Sequence, residues 1–190
     1  MRKSRLEAFS DGVLAIVITI MVLELRHPAT AEIGGIWELR QELASYAVSF
    51  AFLGIYWNNH HHLLQTVQHV NGKVLWANMH LLFWLSLIPF ATAWAGATDF
   101  AKWPVFVYGL ILLLAAIAYF LLSRTLIGLH GEESALAQAV GKDQKGKISI
   151  LMYGAALGVS LFIPLISCAI YVLVAIMWIV PDQRIERALK

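Results

Sequence analysis

The chain has 190 residues, 59% of them hydrophobic and 14% charged, with a net charge of +2. Soluble domains carry about 25% charged residues, so this composition argues against a soluble class. The basic residues flank apolar runs and form no patch, which argues against a nucleic-acid partner. The single cysteine, Cys168, lies inside an apolar run and excludes an intrachain disulfide.

The first predicted span covers residues 8–25 and is entered through Arg5-Leu6-Glu7-Ala8-Phe9-Ser10-Asp11. A carboxylate at the mouth of a membrane span is costly, so it serves packing or transport. At about 100° per residue, Gly12, Ile16, Thr19 and Leu23 share one narrow stripe, which continues to Arg5 at one end and Arg26 at the other. Ser10 and Asp11 lie on a different face and need partners inside protein. Polar residues expected near the same end of the second and third spans are Trp57, Asn58, Asn59, His60, His61, Asn78 and His80. One of them would also relieve the i,i+4 repulsion between Glu7 and Asp11. Ala29-Thr30-Ala31 resembles a signal-peptidase site, but Asp11, Glu24 and Arg26 interrupt the segment before it and argue against cleavage.

Further spans are predicted at 44–65, 74–95 and 103–126, built on runs free of Asp, Glu, Lys and Arg at 43–72, 74–98 and 103–123. Each run reaches the roughly 20 residues that cross a hydrocarbon core. Residues 128–147 are polar and read as a linker with a short helix. The last apolar run, 148–180, is about 50 Å long if helical, too long for one crossing. Pro164 divides it into spans at 148–163 and 165–180. With six spans, Arg2, Lys3, Arg5, Lys73, Arg124, Lys142, Lys145, Lys147, Arg184, Arg187 and Lys190 share one side, against Arg26, Arg40 and Lys102 on the other. The positive-inside rule then places both termini in the cytoplasm. The expected fold is all-α: one polytopic domain over 1–190 with six transmembrane helices.

Chemistry-bearing motifs are few. A Thr-Val-Gly-Tyr-Gly potassium filter is missing, and Val107-Tyr108-Gly109 sits within an apolar helix and reads as packing. His60, His61 and His62 are consecutive, so on a helix they point about 100° apart and cannot grip one ion together. No HExxH, GxSxG or P-loop occurs, so neither an enzyme nor a cofactor is expected. Trp37, Trp94, Trp103 and Trp178 read as interfacial anchors, Trp57 and Trp84 as core. Gly154 and Gly158 form a small-xxx-small pair suited to close helix packing.

Several motifs resemble the transmembrane protein 175 family, lysosomal potassium channels of animals and their prokaryotic relatives. They are Arg-x-x-x-Phe-Ser-Asp at Arg5, Phe9, Ser10 and Asp11, with its continuation through Gly12, Val13, Ala15, Ile16 and Thr19. Tyr56-Trp57, His60-His61, Ile88-Pro89-Phe90 and Trp178-x-x-Pro181-Asp182-x-Arg184 complete the likeness. The resemblance implies a homotetrameric, potassium-selective cation channel in the bilayer of a prokaryotic plasma membrane, with first helices lining the pore. It places the apolar constriction on Ile16, Thr19 and Leu23, the stripe already read from the helical period. It also implies that Arg5, Ser10 and Asp11 brace helices near the inner mouth; the expected bracing network adds Phe9 from the same motif and Trp57, His60 and Asn78 from the polar residues named above. The alternative is a proton-coupled secondary transporter using Asp11. Broken helices at corresponding positions in two halves would favour it, and the sequence has only one such break, at Pro164.

Overall fold

The computed structural model describes residues 3–141 and 143–179, without the side chains of Ala135 and Ala139. Every regular element among them is helical: α1 (Lys3–Leu23), α2 (Gly34–Glu38), α3 (Arg40–Gln65), α4 (Gly72–Ser86), α5 (Ile88–Ala97), α6 (Lys102–His130), α7 (Ala135–Val140), α8 (Gln144–Ser160) and α9 (Pro164–Ile179). Pro181, Asp182 and Arg184 of the C-terminal motif lie outside the described residues, as do Arg2, Lys142, Arg187, Lys190 and the last position of the 165–180 span.

Among the described residues, three stretches are long and apolar enough to cross a bilayer: Lys3–Leu23, Gly72–Ala97 and Lys102–His130. Helix α3 has the length, 26 residues, but carries Asn58, Asn59 and three histidines near its end. Outward-facing Leu151, Phe162, Leu165, Leu173 and Ile176 give the bundle an apolar exterior, as a membrane protein requires when its surroundings are lipid chains.

Proline sets both interruptions in the apolar runs. Pro89 supplies no N–H for the Leu85 carbonyl, and the predicted third span is therefore two helices joined at Leu87. There the Leu87 N–H reaches the Trp84 carbonyl at 3.2 Å, a tightened turn. Pro164 opens α9, where its missing N–H costs nothing. The helix before it, α8, starts at an Asp143 cap whose carboxylate accepts the Gly146 N–H at 3.1 Å. The second span begins four residues earlier than predicted, at Arg40, and the fourth runs on to His130. Helix α2 lies between the first two predicted spans and matches none of them.

Side-chain contacts set the helix directions. Asp11 meets Trp57 while Arg26 meets Glu42, so α1 and α3 are antiparallel. His60 meets Asn78 while Ser49 meets Thr92, so α3 also opposes α4 and α5. Ser167 donates to the Ala156 carbonyl at 2.7 Å and Trp178 to Ser149 Oγ at 2.7 Å, so α8 and α9 pair as a hairpin. Tyr171 reaches the Val105 carbonyl and Tyr119 packs on Trp178, which makes α6 and α9 parallel.

Two glycines permit close approaches between helices. A Cβ at Gly96 would lie 2.9 Å from Glu42 Cα and 2.6 Å from Ser45 Oγ, so α5 packs on α3 through bare backbone. At Gly109 a Cβ would overlap the Tyr171 hydroxyl. Gly154 and Gly158, singled out from spacing, have no neighbour within 4 Å of such an atom.

Candidate functional site

Helix α1 divides into two faces. Leu6, Ser10, Leu14, Val17 and Met21 are buried against the bundle. On the wheel, the stripe of Gly12, Ile16, Thr19 and Leu23 is centred about 150° away. All four stripe residues are exposed, Ile16 to 58% and Leu23 to 78%. The sequence-predicted pore residues therefore project away from their own protomer. Thr19 donates its hydroxyl proton back to the helix, to the Ala15 carbonyl at 2.9 Å or the Ile16 carbonyl at 3.0 Å. With that proton engaged, oxygen lone pairs are what Thr19 presents outward, the chemistry that suits a cation.

The polar end of α1 finds two separate partners. Ser10, Asn78 and His60 are all buried and form one directed chain across three helices. His60 Nε2–H donates to Asn78 Oδ1 at 2.7 Å, and Asn78 Nδ2–H to Ser10 Oγ at 2.9 Å. The Ser10 hydroxyl in turn donates to the Leu6 carbonyl at 2.9 Å. Each buried donor in the chain thus meets an acceptor, as a dry interior demands. Asp11 lies off this chain: exposed, its Oδ1 accepts the Trp57 indole N–H at 2.9 Å. Trp57 is 43% exposed and stacks on His61 at 5.9 Å between ring centres, so it is no core residue of the protomer. Glu7 is paired with Lys3 at 3.5 Å.

Arg5 and Phe9 stand apart from both arrangements. Arg5 is exposed and Phe9 half-exposed, and Arg5 makes no ion pair among the described residues. Also among the described residues, no three His, Cys, Asp or Glu side chains are placed to hold a metal ion.

Beyond Leu23 the chain leaves the helix. Glu24 and Leu25 N–H groups reach back to the Met21 and Val22 carbonyls at 3.3 Å each, a tightened last turn after which Arg26 lies off the stripe. Its guanidinium instead forks onto the Glu42 carboxylate of α3, with Nε at 3.1 and 3.3 Å from the two oxygens and Nη2 against Oε1. The carboxylate raises the guanidinium above its usual range, by hydrogen bonding first and charge second. Spacing within the first helix cannot reveal this pair, because Glu42 lies in another element. Between α1, α3 and the α4–α5 unit runs a groove of about 880 Å³, edged by Ile16, Ile20, Phe90 and Trp94 and ending at Arg26 and Glu42.

The family model described as endosomal/lysosomal potassium channel TMEM175 matches residues 5–89, the part holding the α1 stripe and its polar partners. Over all 190 residues the chain is 52% identical to Potassium channel HX13_20290 of Chryseobacterium sp. (strain P1-3), covering 100% of this chain and 99% of that protein. It is 38% identical over 93 residues to Potassium channel B446_29190 of Streptomyces collinus, covering 47% of this chain and 45% of that one. The crystal structure of a lysosomal potassium-selective channel TMEM175 homolog from Chamaesiphon minutus superposes with a TM-score of 0.81. That match, at 26% identity, covers 93% of this chain and 95% of that one. An all-helical membrane protein with this first helix and a near-full-length relative at 52% identity belongs to the TMEM175 family.

Proposed function

We propose that the chain is a potassium-selective cation channel, a homotetramer whose pore is lined by α1 from each subunit. The observation that carries this reading is the exposure of Ile16, Thr19 and Leu23 on the helix face opposite the bundle core. An apolar residue on that face gains nothing from its own protomer, and a ring of four Ile16 side chains makes a narrow dry constriction. Ions crossing such a ring shed water, and the Thr19 oxygens beside it replace part of that hydration. Support for potassium as the permeant ion comes from the names borne by the bacterial relatives.

In this reading the domain spans 1–190, crosses the membrane six times and keeps both termini in the cytoplasm. The antiparallel α8–α9 pairing supports the even number of crossings. The bias of Lys and Arg toward one side supports the orientation. The membrane is the plasma membrane of a prokaryote, in keeping with the bacterial relatives. The chain from His60 through Asn78 to Ser10, together with Asp11 and Trp57, braces α1 against its neighbours so that the stripe keeps its orientation. Arg5 and Phe9 are exposed and free of those contacts, which in this reading leaves them available to a neighbouring subunit.

The test is reconstitution of the purified protein into vesicles with a potassium gradient. A channel gives electrogenic potassium flux that does not saturate at modest concentration. Saturating flux coupled to proton movement would refute the proposal.

A further inference from the structure

The stripe on α1, extended as a helix, would deliver Arg26 to the outer end of the ion path. Four guanidiniums around that mouth would repel arriving cations, so their disposition matters for a cation channel. In the structure the helix ends at Leu23 and Arg26 turns back onto Glu42. We propose that Glu42 is a positioning residue for conduction: it holds Arg26 away from the outer mouth and cancels its charge. This assignment rests on the reading of α1 as the pore helix.

Three observations fit that role. Glu42 meets the guanidinium with both oxygens, a fork that fixes direction as well as charge. Its side chain is only 9% exposed while that of Arg26 is 69% exposed, so the carboxylate is the fixed partner and the guanidinium the one that is held. Glu42 in turn sits where α5 presses on α3 through Gly96, whose missing side chain makes room for it. Packing alone does not require a carboxylate there, because Ser45 and Thr92 already hydrogen-bond across this contact. With Arg26 cancelled, the exposed Glu24 carboxylate, which forms no ion pair among the described residues, is left at that end to attract cations.

The experiment records single-channel potassium currents from the full chain and its variants in planar bilayers at two ionic strengths. At about 10 mM potassium, charges act over about 30 Å, and at about 1 M over only 3 Å. Glu42→Gln frees Arg26 and is expected to cut current entering from the Arg26 end by at least about twofold at low salt, with convergence on wild type at high salt. The double variant Glu42→Gln/Arg26→Gln is expected to regain the lost current. A low-salt current unchanged in Glu42→Gln overturns the assignment, as does a loss that persists at high salt or in the double variant. If Glu42→Gln does not assemble, Arg26→Gln carries the test: it bares four carboxylates and should raise low-salt current, whereas an unchanged or smaller current overturns the assignment. Wild-type protein that passes no potassium current overturns the pore reading and this assignment together, while wild-type current with indifferent variants overturns this assignment alone.

Discussion

Trp57 donates its indole N–H to Asp11 at 2.9 Å, tying α3 to α1 beside the buried face on which Ser10 meets Asn78. The carboxylate that looks most like ion-handling chemistry is thereby a hydrogen-bond acceptor in a helix contact. A hydrogen bond contributes a net of about 0.5–1.5 kcal/mol, and at this exposed contact solvent screens the carboxylate charge. Asp11→Ala is therefore expected to lower the thermal stability of the detergent-solubilised protein while leaving potassium-over-sodium preference in surviving channels unchanged. Intact protein with altered ion preference would show that Asp11 acts on the ions.

Asn78 matters more to stability, because it satisfies His60 and Ser10 at once in a buried setting. Asn78→Leu leaves the buried His60 Nε2–H without its acceptor, at a cost of about 1–3 kcal/mol, and also removes the bond to Ser10 Oγ, which keeps its own bond to the Leu6 carbonyl. The loss in unfolding free energy should exceed that of Asp11→Ala. Equal or smaller loss would mean that water enters to replace the amide.

Much of this arrangement is legible in the residues themselves. Runs without charge mark the long helices, Pro164 marks the turn into α9, and the helical period puts Ile16, Thr19 and Leu23 on one face. The partners of Ser10 and Asp11 came from the short set of polar residues that share their end of the bundle. What stays hidden depends on neighbours in space. Arg26 follows the stripe on a wheel, but the wheel assumes a helix that in fact ends at Leu23. Trp57 reads as core by its depth in the sequence, whereas its ring lies on the surface against Asp11 and His61.

Glycine spacing misleads for the same reason. Gly154 and Gly158 have the spacing of a packing motif and open space before them, while isolated Gly96 and Gly109 hold the tight contacts. Gly109→Ala drives a methyl group into the Tyr171 hydroxyl, and overpacking of this kind costs about 1–3 kcal/mol. Removing that hydroxyl with Tyr171→Phe should recover part of the loss. Gly154→Ala should leave the folding of the protomer unaltered. Thermal denaturation of the four proteins checks both statements, and a Gly154→Ala loss as large as that of Gly109→Ala would contradict them.

Conduction in this channel depends on the α1 stripe facing permeating ions. Single-channel recording with potassium on one side and sodium on the other, comparing wild type with Ile16→Ala, tests this most directly. Opening the constriction is expected to lower the potassium-to-sodium permeability ratio and raise the conductance. A ratio and conductance equal to those of wild type would place Ile16 outside the ion path and contradict the account.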